Sequence, residues 1–163
     1  MNSTASWPSS ITLVVIDFYG VMTDNTVQVG ADGTETVRCH RSDGLGIAAM
    51  RKAGVPMMVF STEEHPVVAA RCKKLQLPCH QGIANKATWL AEFLKKEKID
   101  PKAVAYLGND RNDLECLQMV GFPVVVADAD ASVIGVARVV LSKAGGKGAV
   151  REFCDKFLAL RAS

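Results

Sequence analysis

The sequence predicts an open, doubly wound, mostly parallel α/β sheet with helices on both faces, a projecting β-hairpin and no lid domain. Three observations carry this. Short apolar runs over residues 11–16, 55–60 and 104–107 alternate with segments of helical spacing, and uninterrupted runs of that length belong to strands buried on both faces of a parallel sheet. Strands alternating with helices form right-handed βαβ units. Acidic residues follow three of the strands, the end at which ligands bind in such a fold.

The elements follow in order. Residues 11–16, a β-branched and leucine run closed by Asp17, form the first strand. Residues 26–29 and 34–38 alternate around Gly30-Ala31-Asp32-Gly33, a hairpin signal with a short Asp-Gly-containing loop. From Asp43 the spacing of Leu45, Ile47, Ala48 and Met50 turns helical, with Asp43 as N-cap and Gly54 as the stop. A strand returns over 55–60, followed by a helix over 66–75, a short strand over 77–80 and a helix over 86–98 that Pro101 follows. Residues 104–107 form a buried strand, 113–120 a helix, 123–127 a strand, 131–137 a helix and 139–141 a last strand. The terminal helix starts near Gly148. Residues 1–10 are polar, contain Pro8 and are expected to be a flexible N-terminus, leaving 11–163 as a single domain.

At 163 residues the chain has the size of one ordinary domain, able to bury a core without disulfides. The formal charge of +2 is spread without a basic run, which disfavours a nucleic-acid partner. Five cysteines, Cys39, Cys72, Cys79, Cys116 and Cys154, lack any CxxC or Cys/His metal spacing and fit free thiols in a reducing compartment. The first ten residues lack the basic and apolar regions of a signal peptide, and the apolar runs are too short to span a membrane. A cytoplasmic location and no membrane partner are expected.

The strand ends carry the chemistry. Asp17 to Asp24 follows the first strand, Ser61-Thr62-Glu63-Glu64 the strand over 55–60, and Gly108-Asn109-Asp110-Arg111-Asn112-Asp113 the strand over 104–107, while Lys86 opens an intervening helix. Carboxylates facing one crevice repel unless a divalent cation sits between them, and hard oxygen ligands suit Mg²⁺. Asp17 and Asp110 are the expected side-chain ligands. A carboxylate also acts as a nucleophile toward phosphorus, with the Ser61 hydroxyl and Lys86 ammonium holding the phosphoryl oxygens.

This order of residues resembles the haloacid dehalogenase superfamily of phosphohydrolases. Its four motifs are an Asp-x-Asp-Gly-type nucleophile loop, a Ser or Thr, a Lys, and a Gly-Asn/Asp-Asp-x-x-Asp loop; here they fall on Asp17, Ser61, Lys86, and Asp110 with Asp113. Within it the likeness is to 3-deoxy-D-manno-octulosonate 8-phosphate and 2-keto-3-deoxynononate 9-phosphate phosphatases, and to the domain that ends some acylneuraminate cytidylyltransferases. The hairpin, the stretch 41–47 and the glycine-rich stretch 145–152 are the marks of that branch. The resemblance implies a Rossmann-like sheet, Mg²⁺, a small-molecule sugar phosphate, Asp17, Ser61, Lys86 and Asp113 as catalytic residues, and a homotetramer joined through the hairpin. Only 44 positions separate Asp17 from Ser61 and 25 separate Ser61 from Lys86, so neither insertion point has room for a lid, and a neighbouring subunit is the expected cover.

On the substrate side, Arg41 and Arg151 are candidates for an α-keto acid carboxylate, because a guanidinium fork suits it. Asp43, Gly44 and Thr62 complete the substrate-binding candidates together with Glu63. Octulosonate-type relatives carry a basic residue at that position and nononate-type relatives Glu, so the resemblance leans toward a nine-carbon, sialic-acid-like sugar, whose hydroxyls a carboxylate can hydrogen-bond. One position departs from the family pattern. The second Asp of the nucleophile loop, which in the family serves as acid and base while its carbonyl binds the metal, is Tyr19 here. The carbonyl survives the change, whereas a phenol is a poor base at neutral pH. Two readings follow: a sugar-phosphate phosphatase impaired by Tyr19, or a non-catalytic oligomerisation domain related to the cytidylyltransferase tail.

Overall fold

The computed structural model describes residues 7–162. Six strands, β1 (Leu13–Asp17), β4 (Met57–Phe60), β5 (Cys79–His80), β6 (Val104–Gly108), β7 (Phe122–Val125) and β8 (Val139–Val140), form one sheet in the order β5-β4-β1-β6-β7-β8. Every neighbouring pair in it is parallel. The sheet runs outward from β1 in both directions, which puts the reversal of strand order between β1 and β6. A crevice opens at that reversal, beyond the carboxyl ends of the two strands.

Alternation along β1 sets the two cores. Val14 and Ile16 face one side, with Val59, Ala105 and Leu107, beneath the helices α1 (Asp43–Lys52), α2 (Pro66–Leu75) and α6 (Ala149–Arg161). Leu13 and Val15 face the other, with Phe60 and Tyr106, beneath α3 (Lys86–Lys96), α4 (Leu114–Met119) and α5 (Ala131–Ile134). Both faces of the sheet are therefore covered, as the apolar runs require. The antiparallel hairpin of β2 (Gln28–Val29) and β3 (Glu35–Thr36) stands apart from the sheet, with Val29 66% exposed. No helix among the described residues is long and apolar enough to cross a membrane.

Several expectations shift at their edges. The helix expected over 86–98 ends at Lys96, because Lys98 adopts a left-handed conformation with φ 56° and closes the turn. Asp43 does not cap α1; its carboxylate accepts instead from the backbone N–H of Arg151 at 3.0 Å, bonding the start of α1 to the first turn of α6. The expected flexible stretch 1–10 lies outside the described residues up to residue 6, and Trp7 is packed, its ring 5.0 Å from Phe122 and 5.5 Å from Phe153. A large aromatic ring resting on two others holds the chain to the domain from that point.

Candidate active site

Asp17 closes β1 with its backbone extended, and its Oδ1 accepts from the N–H of Phe18 at 2.8 Å. The chain then turns sharply through Gly20, at φ 84°. Both the left-handed backbone and the space require glycine there, since a Cβ would fall 2.0 Å from the side-chain amide of Asn109.

Three buried charged groups meet behind this turn. Lys86, in the first turn of α3, reaches Oδ1 of Asp17 at 2.7 Å and Oδ1 of Asp113 at 2.9 Å. Asp113 is held in turn by the Tyr106 hydroxyl, which donates to its Oδ1 at 2.6 Å, and by the N–H groups of Asn109 and Asp110, which donate to its Oδ2 at 2.9 and 3.3 Å. Burial pulls the Lys86 ammonium toward its neutral form, but the two carboxylates outweigh it and hold its pKa above the ordinary value. Burial and the nearby Asp113 raise the Asp17 carboxyl, with Lys86 opposing them. The arrangement keeps a cation permanently behind the Asp17 carboxylate.

Ser61, buried at the end of β4, accepts from the N–H of Glu63 at 3.1 Å, which leaves its hydroxyl proton available to another acceptor. Asp17, Tyr19, Ser61, Thr62, Glu63 and Asp110 all line one cavity of about 360 Å³, together with Glu35 from the hairpin and Asn109. Burial, then Glu63 and Glu35, hold the Tyr19 phenol above its ordinary value of 10.0.

The other expected residues lie elsewhere. Arg41 and Gly44 line a separate cavity of about 710 Å³ beside α2. The Arg151 guanidinium faces Asp155, with Nε 2.7 Å from its Oδ2, and Asp43 is buried beneath the α6 start. Lys86 and Asp113 stand behind Asp17, with the Lys86 ammonium between the two carboxylates. Two contributors escaped the sequence reading. Tyr106 lies inside an apolar run, where a buried phenol always needs a partner. Asn109 sits in the same loop as Asp110, and its side-chain amide stands 2.9 Å from Asp17 Oδ2 and 3.0 Å from the Tyr19 carbonyl oxygen, two acceptors that favour its nitrogen facing them when no cation lies between.

Oxygen donors of this kind suit a small hard divalent cation. Among the described residues no three His, Cys, Asp or Glu side chains gather closely enough to hold one by themselves. Main-chain or amide oxygens would have to complete such a set, and the Tyr19 carbonyl oxygen is within 3.0 Å of the Asn109 amide beside Asp17.

Comparison with known proteins decides the kinship. A family model described as haloacid dehalogenase-like hydrolase matches residues 79–153. The 3-deoxy-D-manno-octulosonate 8-phosphate phosphatase KdsC of Escherichia coli K12 is 35% identical over 150 residues, covering 91% of this chain and 80% of that protein. The chain belongs to the haloacid dehalogenase-like hydrolases. Within them this hydrolase is a phosphoric monoester hydrolase. A HAD family hydrolase from Streptomyces avermitilis superposes with a TM-score of 0.91 at 46% identity, over 97% of this chain and 93% of that one. The Moraxella catarrhalis 3-deoxy-D-manno-octulosonate 8-phosphate phosphatase, solved with magnesium, phosphate and KDO, superposes with a TM-score of 0.89 at 31% identity, over 93% and 88%.

Proposed function

We propose that this hydrolase removes phosphate from a sugar phosphate of the 2-keto-3-deoxy acid type, in a Mg²⁺-dependent reaction through an aspartyl-phosphate on Asp17. One observation carries the reading: Lys86 is buried between Asp17 and Asp113 at the carboxyl end of β1, and Asp17 lines the same cavity as Ser61. A structural ion pair has no need of a position at the reversal of strand order, where ligands bind.

The residues divide the work as follows. The Asp17 carboxylate attacks phosphorus as the ester P–O bond breaks, with Lys86 fixing its Oδ1 and offsetting the charge that builds on the phosphoryl oxygens. The Ser61 hydroxyl donates to one of those oxygens. Water then attacks the aspartyl-phosphate and restores the carboxylate. A bound Mg²⁺ would be held by Asp17, the Tyr19 carbonyl and Asp110, and would supply positive charge against the phosphoryl group. Both half-reactions need a proton moved, to the leaving alkoxide and then from water. A phenol held above its ordinary pKa does the second poorly, so turnover is slow in the natural chain.

The thiols, all free, support a reducing, cytoplasmic setting. The hairpin supports a homotetramer: it exposes Val29 at 66% and Val27 at 45%, with Val27 on the rim of the cavity, so a second copy would both bury apolar surface and cover the site. The alternative, a non-catalytic oligomerisation domain, draws on Tyr19 alone; the intact buried triad of Asp17, Lys86 and Asp113 favours the enzyme. Phosphate release from a panel of sugar-acid and neutral sugar phosphates, with Mg²⁺ and with EDTA, tests the proposal. Slow release that stops with EDTA supports it, and none from folded protein on any substrate refutes it.

A further inference from the structure

We infer that Glu35, which the hairpin brings to the cavity, selects the leaving group by binding a sugar hydroxyl through its carboxylate, and that His65 is the positioning residue that aims it. This rests on the phosphatase reading above and adds to it which face of the substrate the hairpin meets. Asp17 and Ser61 take the phosphoryl end of the cavity. The leaving group is left with the wall that Tyr19, Val27, Glu35 and Glu63 form. Val27 adjoins β2 and Glu35 lies in β3, so half of that wall is hairpin.

His65 holds Glu35 in place through the tautomer that its own position imposes. It closes the N-terminus of α2, where its Nδ1 accepts from the N–H of Val67 at 3.3 Å. A neutral imidazole that accepts through one nitrogen carries its proton on the other. That other nitrogen, Nε2, lies 3.6 Å from Glu35 Oε2. The segment is braced from the β5 side: the side-chain amide of Gln81 donates to the carbonyl of His65 at 2.9 Å and to that of Glu63 at 3.3 Å. A partly exposed pair at such a distance contributes little to stability. Its consequence is orientation: with Oε2 turned to His65, Oε1 is left for a ligand in the cavity that Glu35 lines.

The charge of the wall decides what it takes. Glu35 and Glu63 both stand near enough to the Tyr19 phenol to act on it, and no lysine or arginine lines this cavity. A carboxylate accepts from sugar hydroxyls and repels another carboxylate. The substrate therefore presents a hydroxylated chain to Glu35, and the acid group of a sugar acid lies beyond the hairpin, at the end remote from the phosphate. An ester with its acid group close to the phosphate would set like charges against Glu35 with no cation beside them.

Phosphate release in Mg²⁺ from erythritol 4-phosphate and from 4-phosphoerythronate tests this on the full chain. The two esters differ only in a terminal hydroxymethyl group against a carboxylate. The natural chain is expected to prefer the polyol ester in kcat/KM by at least about tenfold, through KM more than kcat. Glu35→Gln keeps the shape, removes the charge and should abolish most of that preference. His65→Asn retains an acceptor to cap α2 but is too short to reach Glu35, so it should lose part of the preference with the melting temperature little changed. A hairpin contact that is merely structural would move both esters together. A preference absent from the natural chain, or kept in full by either variant, overturns the inference and leaves the phosphatase reading standing. No release of these or any other sugar phosphates by the folded natural chain overturns both.

Discussion

The Lys86 ammonium lies 2.7 Å from the Asp17 carboxylate with both side chains buried, and it favours the ionised carboxylate against the burial and the nearby Asp113 that raise its pKa. Removing that cation strands two carboxylates, Asp17 and Asp113, in the core. Breaking a buried pair from one side costs about 3–5 kcal/mol. Lys86→Met is expected to lose stability of that order in urea denaturation, together with phosphate release. Unchanged stability would mean that the two carboxylates take up protons at no cost.

Tyr106 supports the same cluster from the core side, donating to Asp113 Oδ1 at 2.6 Å. Tyr106→Phe keeps the packing and removes one donor to a buried carboxylate, a change worth about 1–3 kcal/mol. The variant is expected to be less stable by that amount, and to lose kcat with KM little changed, since the hydroxyl positions Lys86 through Asp113 without touching substrate. An equal rise in KM would place the effect on substrate binding instead.

Asp43 is buried, its Oδ2 has no hydrogen-bond partner, and burial pushes its carboxyl up to about 6 from 3.8. The folded chain thus binds this proton more tightly than the unfolded chain. Stability from this group rises as pH falls from about 6 toward 4, and the cost of the buried charge is complete above pH 6. Asp43→Asn keeps an acceptor for the Arg151 N–H and removes the charge. At pH 7.5 it should be the more stable chain, on the order of 1–2 kcal/mol, with the gap closing toward pH 4. A gap that stays constant with pH would exclude Asp43 titration as its source.

Much of this was legible in the sequence because strand ends are legible. Asp17 and Ser61 each follow a buried apolar run, Lys86 opens a helix after Asn85, and the parallel topology brings such positions together whatever lies between them. The neighbours Asn109 and Asp110 show where this stops: both follow β6, and only the loop conformation decides which side chain crosses to Asp17. Asp43 reads locally as a helix cap, yet its partner is an N–H 108 positions away. Arg41 and Arg151 suit a carboxylate chemically, but a guanidinium pairs with whatever carboxylate is near, and for Arg151 that is Asp155, one turn along α6. The hydroxyl of Tyr106 is hidden in an apolar run for the same reason: pattern reports burial, while hydrogen-bond partners depend on the packed fold.

In the proposed cycle Asp17 takes the phosphoryl group and Tyr19 slows turnover. Phosphate release in Mg²⁺ by Tyr19→Asp, set against the natural chain and against Tyr19→Asp carrying Asp17→Asn as well, tests it most directly. Restoring a carboxylate for proton transfer should raise the rate by ~10²–10⁴-fold, and the second substitution should remove the gain. A Tyr19→Asp chain that folds and is no faster, or a doubly substituted chain that keeps the gain, would contradict the account.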